Sequence, residues 1–399
     1  MPTLRPFDDA RDGASFARTI ALSFGGTAEG VRGYFDLAGR ENLRVLDEGP
    51  GVPISAGLAR IPMGHWFGGR SVRTIGIAAV GVAPEARGGG RARSLMSAAV
   101  EEAGAEGTPL VSLYASTQAL YRQVGFEQAG AQFTTSIPLR QLTCGTRDLP
   151  IEPIAPFPDG VPPARLARCA NRYAAAFEGM LDRGPFIWKR IQQNRDQTYH
   201  GFAVAPDGAA GEVEGHVFLG QVRRDGGRHD VVLSDVAFTT ARAGQRILGF
   251  LRDFTSMGLT LSFVGGACHP LVMLLPQQWI EMNFKDYWMV RISDLGGAIA
   301  SRGFSPSVTV DEVLEVDDPL LVRNAGRWRL AVRDGRGSVD RTEAAATFRC
   351  DIRTLASIYT SFLSPSQALL LGRASGSESA ARRLDGAFAG TAPWMVDHF

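Results

Sequence analysis

Along residues 14–24 (ASFARTIALSF) apolar groups recur at helical spacing, and Tyr34, Phe35 and Leu37 mark a second short helix. Residues 43–47 and 54–61 alternate as strands around the turn residues GPGVP. Residues 72–83 (VRTIGIAAVGVA) form a long, nearly uncharged run that predicts a strand covered on both faces, stopped by Pro84. A glycine-rich turn follows. Residues 92–105 then have helix-forming composition, with Leu95, Met96, Ala99 and Val100 on one side. Residues 110–115 give another buried strand and residues 119–123 a short helix, completing a β-α-β unit.

The proline-crowded stretch 150–163 (PIEPIAPFPDGVPP) reads as a domain boundary. Beyond it the pattern predicts a helix over 164–181, strands over 213–222 and 231–238, a helix over 242–255 and a strand over 259–264. This repeats the earlier order, and Ala86–Arg91 (ARGGGR) can be laid on residues 241–246 (ARAGQR), each after a buried strand and before an amphipathic helix. In the second copy the middle glycines are depleted, as in a duplicated unit that has lost its site. The last third changes character. Strands are expected over 308–316, 320–323 and 328–332, with residues 324–327 as a hairpin connection, and helices over 351–362 and 377–388. The partition is therefore 1–150, 151–302 and 303–399, all of mixed α+β character.

Composition narrows the function classes. The 399 residues carry 42 Lys+Arg against 41 Asp+Glu, and a net charge of +1 gives no global attraction to nucleic acid or an anionic membrane. No stretch approaches the roughly 18 apolar residues of a membrane span, and the N-terminus lacks the apolar region of a signal peptide, so a cytoplasmic protein is expected. Cys144, Cys169, Cys268 and Cys350 form no CxxC pair and read as reduced thiols. The histidines show no metal-ligand spacing, and no metal is expected.

The informative stretch is residues 80–92, VGVAPEARGGGRA. A buried strand delivers the chain to small residues that open directly into a helix, where unpaired N–H groups and the positive end of the dipole converge. Arg87, Arg91 and Arg93 add charge. On the residues alone, a pyrophosphate site and a tight strand–helix turn with surface arginines both stand. A P-loop lacks its Gly-Lys-Ser/Thr, and the glycine spacing does not suit a dinucleotide fingerprint. Tyr121, before Gly125-Phe126, is by motif alone a packing residue as readily as a proton donor.

Arg87-x-x-Gly90-x-Ala92 resembles the Arg/Gln-x-x-Gly-x-Gly/Ala signature by which GNAT-superfamily N-acetyltransferases hold the coenzyme A pyrophosphate. The resemblance extends to Trp66–Arg70, to Ala115-Ser116 and to Tyr121-x-x-x-Gly125-Phe126. With a second GNAT-like unit, SDVAFTTARAGQRILGFLRDF and the terminal WMVDHF, the whole chain is similar to the Eis (enhanced intracellular survival) acetyltransferases. That family has tandem GNAT-like domains followed by a sterol carrier protein-like domain.

The resemblance implies acetyl-CoA as co-substrate. It places Val80, Gly81 and Val82 along the pantetheine, Arg87, Gly88, Gly89, Gly90, Arg91, Ala92 and Arg93 around the pyrophosphate, and Ser116 and Thr117 at the coenzyme's arm. It makes Tyr121 the general acid and the α-carboxylate of Phe399 the general base acting through a water; Tyr114 is a nearby competitor for the acid, weakened by its place in an expected buried strand. The implied acceptors are aminoglycoside-like or other polyamines. Phe24, Phe35 and Trp66 are candidate apolar walls for them, and Asp397 is a candidate carboxylate. A homo-oligomer, hexameric in the family, is also implied. The alternative from another class is a non-catalytic protein that binds lipid or a partner through the sterol carrier-like domain.

Overall fold

The computed structural model describes residues 3–49, 51–208 and 211–399, so Pro50 of the predicted GPGVP turn lies outside the described residues. Two units emerge: residues up to Gly130 with Tyr287–Thr391 and Phe399, and Ala131–Asp286 with Ala392–His398. The partition expected from the sequence follows proline-rich punctuation at 150/151 and a change in element pattern at 302/303. These units follow spatial proximity, which groups residues 287–391 with the N-terminal segment.

The first unit runs β1 (Thr3–Pro6), α1 (Asp9–Phe24), α2 (Ala28–Ala38), β2 (Leu43–Asp47), β3 (Ala56–Phe67), β4 (Arg70–Val82), α3 (Arg91–Ala105), β5 (Leu110–Tyr114) and α4 (Gln118–Arg122). Asp8 starts α1 by accepting from the N–H groups of Ala10 and Arg11, and Gly25, at φ 72°, ends it in the left-handed conformation that favours glycine. The strands lie in the order β1-β2-β3-β4-β5, antiparallel except for the parallel β4–β5 pair. Trp288–Ile292, the end of a strand spanning Glu281–Ile292, then pairs antiparallel with β5. Leu95, Met96, Ala99, Val100 and Ala103 of α3 bury against Leu58, Ile77, Val111 and Leu113 of this sheet. The helical stripe read from the sequence is thus the packing face.

The same unit holds a second sheet whose strands neighbour one another in the order Arg336–Arg341, Gly326–Arg333, Val310–Asp317, Phe348–Asp351 and Ala374–Gly376. Residues 320–323 do not form the expected strand. The Asp318 carboxylate accepts from the N–H groups of Leu320 and Leu321 at 3.2 and 3.0 Å and folds the chain into a turn, where Leu321 is buried. Its apolar character serves the core rather than a pleat.

In the second unit, residues 131–138 of the strand Glu127–Pro138 neighbour Gly258–Gly265, followed by His229–Phe238, Gly215–Arg223, His200–Val204 and Ile151–Ile154. His229–Phe238 and Gly258–Gly265 pair in parallel around the helix Ala241–Arg252, a second β-α-β unit. The helix Ala164–Ala174 is shorter than the expected 164–181, because Ala175, Ala176 and Phe177 close successive turns onto Asn171, Tyr173 and Ala174.

The proposed repeat is out of register at its key turn. Residues 241–246 lie inside the helix, which begins at Ala241 because Thr240 caps the Ala243 N–H. The Glu214 carboxylate accepts from Thr240 Oγ1 at 2.6 Å and from Arg242 Nε at 2.8 Å. The second helix thus begins with a side-chain cap that is itself tied to a carboxylate.

No helix among the described residues is long and apolar enough to cross a membrane. The four cysteines are free, and burial pushes the Cys169 and Cys350 thiols up to about 12. Such thiols are inert at neutral pH.

Burial also sets an acid limit on the second unit. His269 is 1% exposed, its ring lies 4.9 Å from Phe263 and 5.1 Å from Trp394, and its Nδ1 accepts the Leu271 N–H. Desolvation lowers its pKa from 6.5 to about 3. Below pH ~6.5 the unfolded chain binds a proton at this site that the folded chain refuses, so stability is lost progressively down to pH ~3. The thermal midpoint should fall over that range, and His269→Asn should flatten the fall. Differential scanning fluorimetry from pH 7 to 4 checks this, and an unchanged slope in the variant would contradict it.

Candidate active site

β4 and β5 pair only from Thr74↔Leu110 to Ile77↔Leu113. β4 nevertheless continues to Val82, held on its other side by β3 through Gly57↔Gly81 and Ala56↔Val82. The register shifts between Gly57 and Ala59, and Ala79 takes φ 49°, a bulge that bends the strand. Among the described residues, registered pairing with β5 stops at Ile77, so the backbone of residues 78–82 borders an opening between two formerly adjacent strands. That edge offers main-chain donors and acceptors to an extended ligand.

At the end of this edge the chain turns through Pro84–Ala86 and enters α3 at Arg91. Gly88 and Gly90 have φ 80° and 75°, which only glycine adopts at little cost, and nothing lies within 4 Å of a Cβ built on either. Gly90 is the N-cap and supplies no side-chain acceptor. The first N–H groups of a 15-residue helix therefore face open space, as an anion site requires. The three arginines differ. Arg91 pairs with Glu48 at 2.6 Å, Arg87 donates from Nε to the Val82 carbonyl at 3.3 Å, and Arg93 is exposed. Among the described residues, neither Arg87 nor Arg93 has an ion pair, so both charges are available to a ligand.

Beyond β5, Ser116 and Thr117 are exposed and Thr117 occupies the N-cap position of α4. Tyr121 is 4% exposed and has a T-shaped contact with Phe126. Burial pushes its phenol above the ordinary range, and the nearby Ser116 hydroxyl pulls it partly back. A phenol so placed stays protonated at neutral pH, which suits a proton donor. Its loop is fixed from behind. The Val124 and Phe126 N–H groups both donate to the Tyr121 carbonyl, and Gly125 stands at φ 90° against the guanidinium of Arg291. Arg291 donates to the Val124 carbonyl at 3.0 Å and pairs with Asp318 at 2.7 Å, both side chains fully buried.

Phe399 is 7% exposed and its ring meets Tyr114 edge-on at 5.6 Å. A Cβ on Gly76 would come within 2.8 Å of the Phe399 ring and 2.4 Å of the Met63 methyl. Gly76 pairs with Ser112 one residue before the β4–β5 pairing ends, so Phe399 lies over the point where the two strands part. Gly76→Ala should displace that ring, with kcat falling about tenfold or more if Phe399 serves the chemistry. Unchanged coenzyme affinity by isothermal titration calorimetry would distinguish this from loss of the fold.

The structure treats the four acceptor-site candidates differently. Phe24 is 62% exposed on the last turn of α1, whose Thr19, Ile20 and Ser23 lie against Gly81. Phe35 is fully buried, stacked on Phe16 at 5.0 Å, and is a core residue rather than the wall of an open site. Trp66 pairs with Ser71, six residues beyond Arg60↔Ile77 and so roughly 20 Å along an extended strand from the parting of β4 and β5. It is not brought to the site. Asp397 is buried and accepts from Arg183 at 3.0 Å, and burial pushes its carboxyl up against that arginine's pull. It is not a solvated anion waiting for a cation. Gly76, Met63 and the Arg291–Asp318 pair were missed by sequence reasoning. Only Gly76 left a signal, as a glycine inside a strand that marks a close approach.

Residues 10–129 and 179–292 each match an acetyltransferase (GNAT) domain, and residues 295–396 match a sterol carrier protein domain. An uncharacterised N-acetyltransferase of Streptomyces coelicolor is 30% identical over 313 residues, covering 73% of this chain and 72% of that protein. This chain belongs to the GNAT N-acetyltransferases. It is an Eis-like GNAT: the N-acetyltransferase Eis of Mycobacterium tuberculosis is 28% identical over 333 residues, 80% of this chain and 79% of its own. A GCN5-related N-acetyltransferase from Anabaena variabilis has a crystal structure that matches with TM-score 0.93 at 30% identity over 100% of both chains. Two GNAT domains followed by a sterol carrier protein-like domain are thus the architecture, and the chain is an acetyl-transferring enzyme. The non-catalytic alternative is set aside. GNAT acetyltransferases use acetyl-CoA, and the open helix N-terminus, the uncrowded glycines and the parted strands fit that co-substrate.

Proposed function

We propose that the first GNAT domain carries the chain's acetyl-CoA site and acetylates primary amines of aminoglycoside-like or other polyamine acceptors by direct attack in a ternary complex. The observation that carries this reading is the arrangement along one opening: an uncapped glycine-lined helix N-terminus at one end, and Tyr121, Ser116 and Phe399 around the parting of β4 and β5. The second copy supports it by contrast, because Thr240 caps its helix with a side-chain hydroxyl, where Gly90 has no side chain to do so.

In this reading the coenzyme supplies the thioester. Val80, Gly81 and Val82 hold the pantetheine through their main chain, as strand edges hold extended ligands. Arg87, Gly88, Gly89, Gly90, Arg91, Ala92 and Arg93 hold the pyrophosphate. Ser116 orients the Tyr121 phenol, with Thr117 beside it at the coenzyme's arm. Tyr121 holds a proton at Oη for the departing sulfur as the C–S bond breaks. The α-carboxylate of Phe399 takes the proton of the attacking amine, through a water, as the C–N bond forms. Positioning of the two reactants supplies most of the remaining acceleration. Of the acceptor contacts, Phe24 is retained as an apolar wall. A homo-oligomer, hexameric as the family resemblance implies, and a cytoplasmic location complete the proposal.

Thiol release from acetyl-CoA, measured against a panel of aminoglycosides and linear polyamines, tests it. Saturable release with at least one amine, and a product heavier by one acetyl group per site, is expected. Absence of turnover with every amine would contradict the acceptor class.

A further inference from the structure

The loop that carries Tyr121 is held by residues from much later in the chain, and one buried ion pair stands at the centre of that hold. Arg291 and Asp318 are both fully buried. The Arg291 guanidinium gives Nη2 to both Asp318 oxygens at 2.7 and 2.8 Å, Nη1 to the Ile292 carbonyl at 2.7 Å and Nε to the Val124 carbonyl at 3.0 Å. Asp318 is fixed in turn by Asn324 Nδ2 at 3.1 Å and by the N–H groups of Leu320 and Leu321. Val124 belongs to the first GNAT domain, Arg291 to the last strand of the second and Asp318 to the sterol carrier protein-like domain, and all three fall in the first unit.

Stability does not account for this pair. Burial holds the guanidinium below the ordinary arginine range, against the pull of Asp318. Two charges taken out of water regain little more than their removal costs, and apolar side chains of similar volume fill such a site as well or better. What apolar side chains cannot do is donate to the Val124 carbonyl. Gly125 follows at φ 90°, and a Cβ there would come within 2.5 Å of Arg291 Nε, so the peptide lies directly against the guanidinium. The Val124 and Phe126 N–H groups return to the Tyr121 carbonyl at 3.1 Å each. The carbonyl gripped by Arg291 and the backbone of Tyr121 are thus parts of one closed turn. Its far end is held as well. Arg122 donates to Glu127 at 2.7 and 3.0 Å, Arg373 pairs with the same carboxylate at 3.1 Å, and Ser357 Oγ donates to the Gln128 carbonyl at 2.6 Å. Arg373 and Ser357 also lie in the sterol carrier protein-like domain.

We propose that Arg291, oriented by Asp318, is a positioning residue for acetyl transfer: by holding the Val124 carbonyl it sets where the Tyr121 phenol stands, a role that rests on Tyr121 serving as the acid. The sterol carrier protein-like domain thereby takes part in the reaction as the support of the acid's loop. A displacement of about 1 Å at a reacting group costs up to about 10²-fold in rate, so a loosened turn lowers kcat. Coenzyme affinity is spared, because Gly88 and Gly90 and the first turn of α3 are built on other residues.

Steady-state kinetics of Arg291→Met/Asp318→Leu, made both in the wild-type chain and in Tyr121→Phe, test the assignment. The paired substitution removes both charges together, so neither is left buried alone. In the wild-type background kcat should fall about tenfold or more, with the KM for acetyl-CoA kept within about threefold. In the Tyr121→Phe background the same substitution should change kcat less than about twofold, because the group it positions is already gone. A loss acting through the fold would lower kcat equally in both backgrounds. That result, or an unchanged kcat in the wild-type background, would overturn the proposal. Tyr121→Phe alone turning over at the wild-type rate would instead remove the acid itself, a separate failure that the same comparison reports. Should the double variant lose its thermal unfolding transition, Arg291→Lys replaces it under the same criteria: its ammonium keeps a charge beside Asp318 but not the planar fork that also reaches Val124.

Discussion

Tyr121→Phe should lower kcat by about 10²–10⁴-fold, the range typical of losing one positioned acid, while leaving acetyl-CoA affinity within about threefold. The substitution removes one oxygen from a side chain otherwise enclosed in the α3–β5 core, so the packing partners Phe126 and Val124 stay in place. The fold should therefore survive, and the loss should appear in kcat rather than in coenzyme binding. The pH profile adds a second readout. Because burial raises the Tyr121 phenol, its ionisation should not cut kcat below pH ~10, the ordinary tyrosine value. Ser116 pulls the phenol the opposite way, so Ser116→Ala should move any basic limb upward, not downward. A basic limb that moved down in Ser116→Ala would remove Tyr121 from the role of acid.

The second large effect concerns the base proposed at Phe399. Converting the Phe399 α-carboxylate to a carboxamide should cost about 10²-fold or more in kcat at neutral pH while keeping the phenyl ring against Gly76 and Tyr114. Appending a few residues after Phe399 should be at least as damaging. The residues before it are clamped within the second unit. Pro393 accepts from the Ala131 N–H at 3.2 Å, Trp394 donates to the Glu178 carbonyl at 3.0 Å, and Gln132 Nε2 donates to the carbonyls of Met395 and Asp397 at 2.8 and 3.2 Å. Arg183 then fixes the Asp397 side chain. These bonds oppose the fraying usual at a chain end. Full activity of the carboxamide would take the base away from Phe399.

What the sequence made legible was local. The run over 72–83, the glycines before residue 91 and the apolar stripe of α3 each carry their meaning within a few residues, and each appears in the structure where its chemistry demands. What stayed hidden was set by partners distant in the chain. Leu320–Arg323 is apolar enough for a strand, but Asp318 turns it, and Asp318 is itself committed to Arg291. Phe35 has the composition of a pocket wall and is instead closed over by Phe16. The helix Pro185–Gln192 buries Phe186, Ile187 and Trp188 in succession, a run whose period does not announce a helix. The degenerate turn of the second copy was read from lost glycines. In the folded chain that helix is capped by Thr240, whose hydroxyl donates to Glu214, a partner 26 residues away that local sequence does not reveal.

Initial-velocity kinetics test direct transfer without an acyl-enzyme most directly. With acetyl-CoA varied at several fixed concentrations of an accepted polyamine, the reciprocal plots should intersect, and intact-mass measurement after incubation with acetyl-CoA alone should show the chain unmodified. Parallel lines, together with an acetyl group retained on the protein, would contradict it.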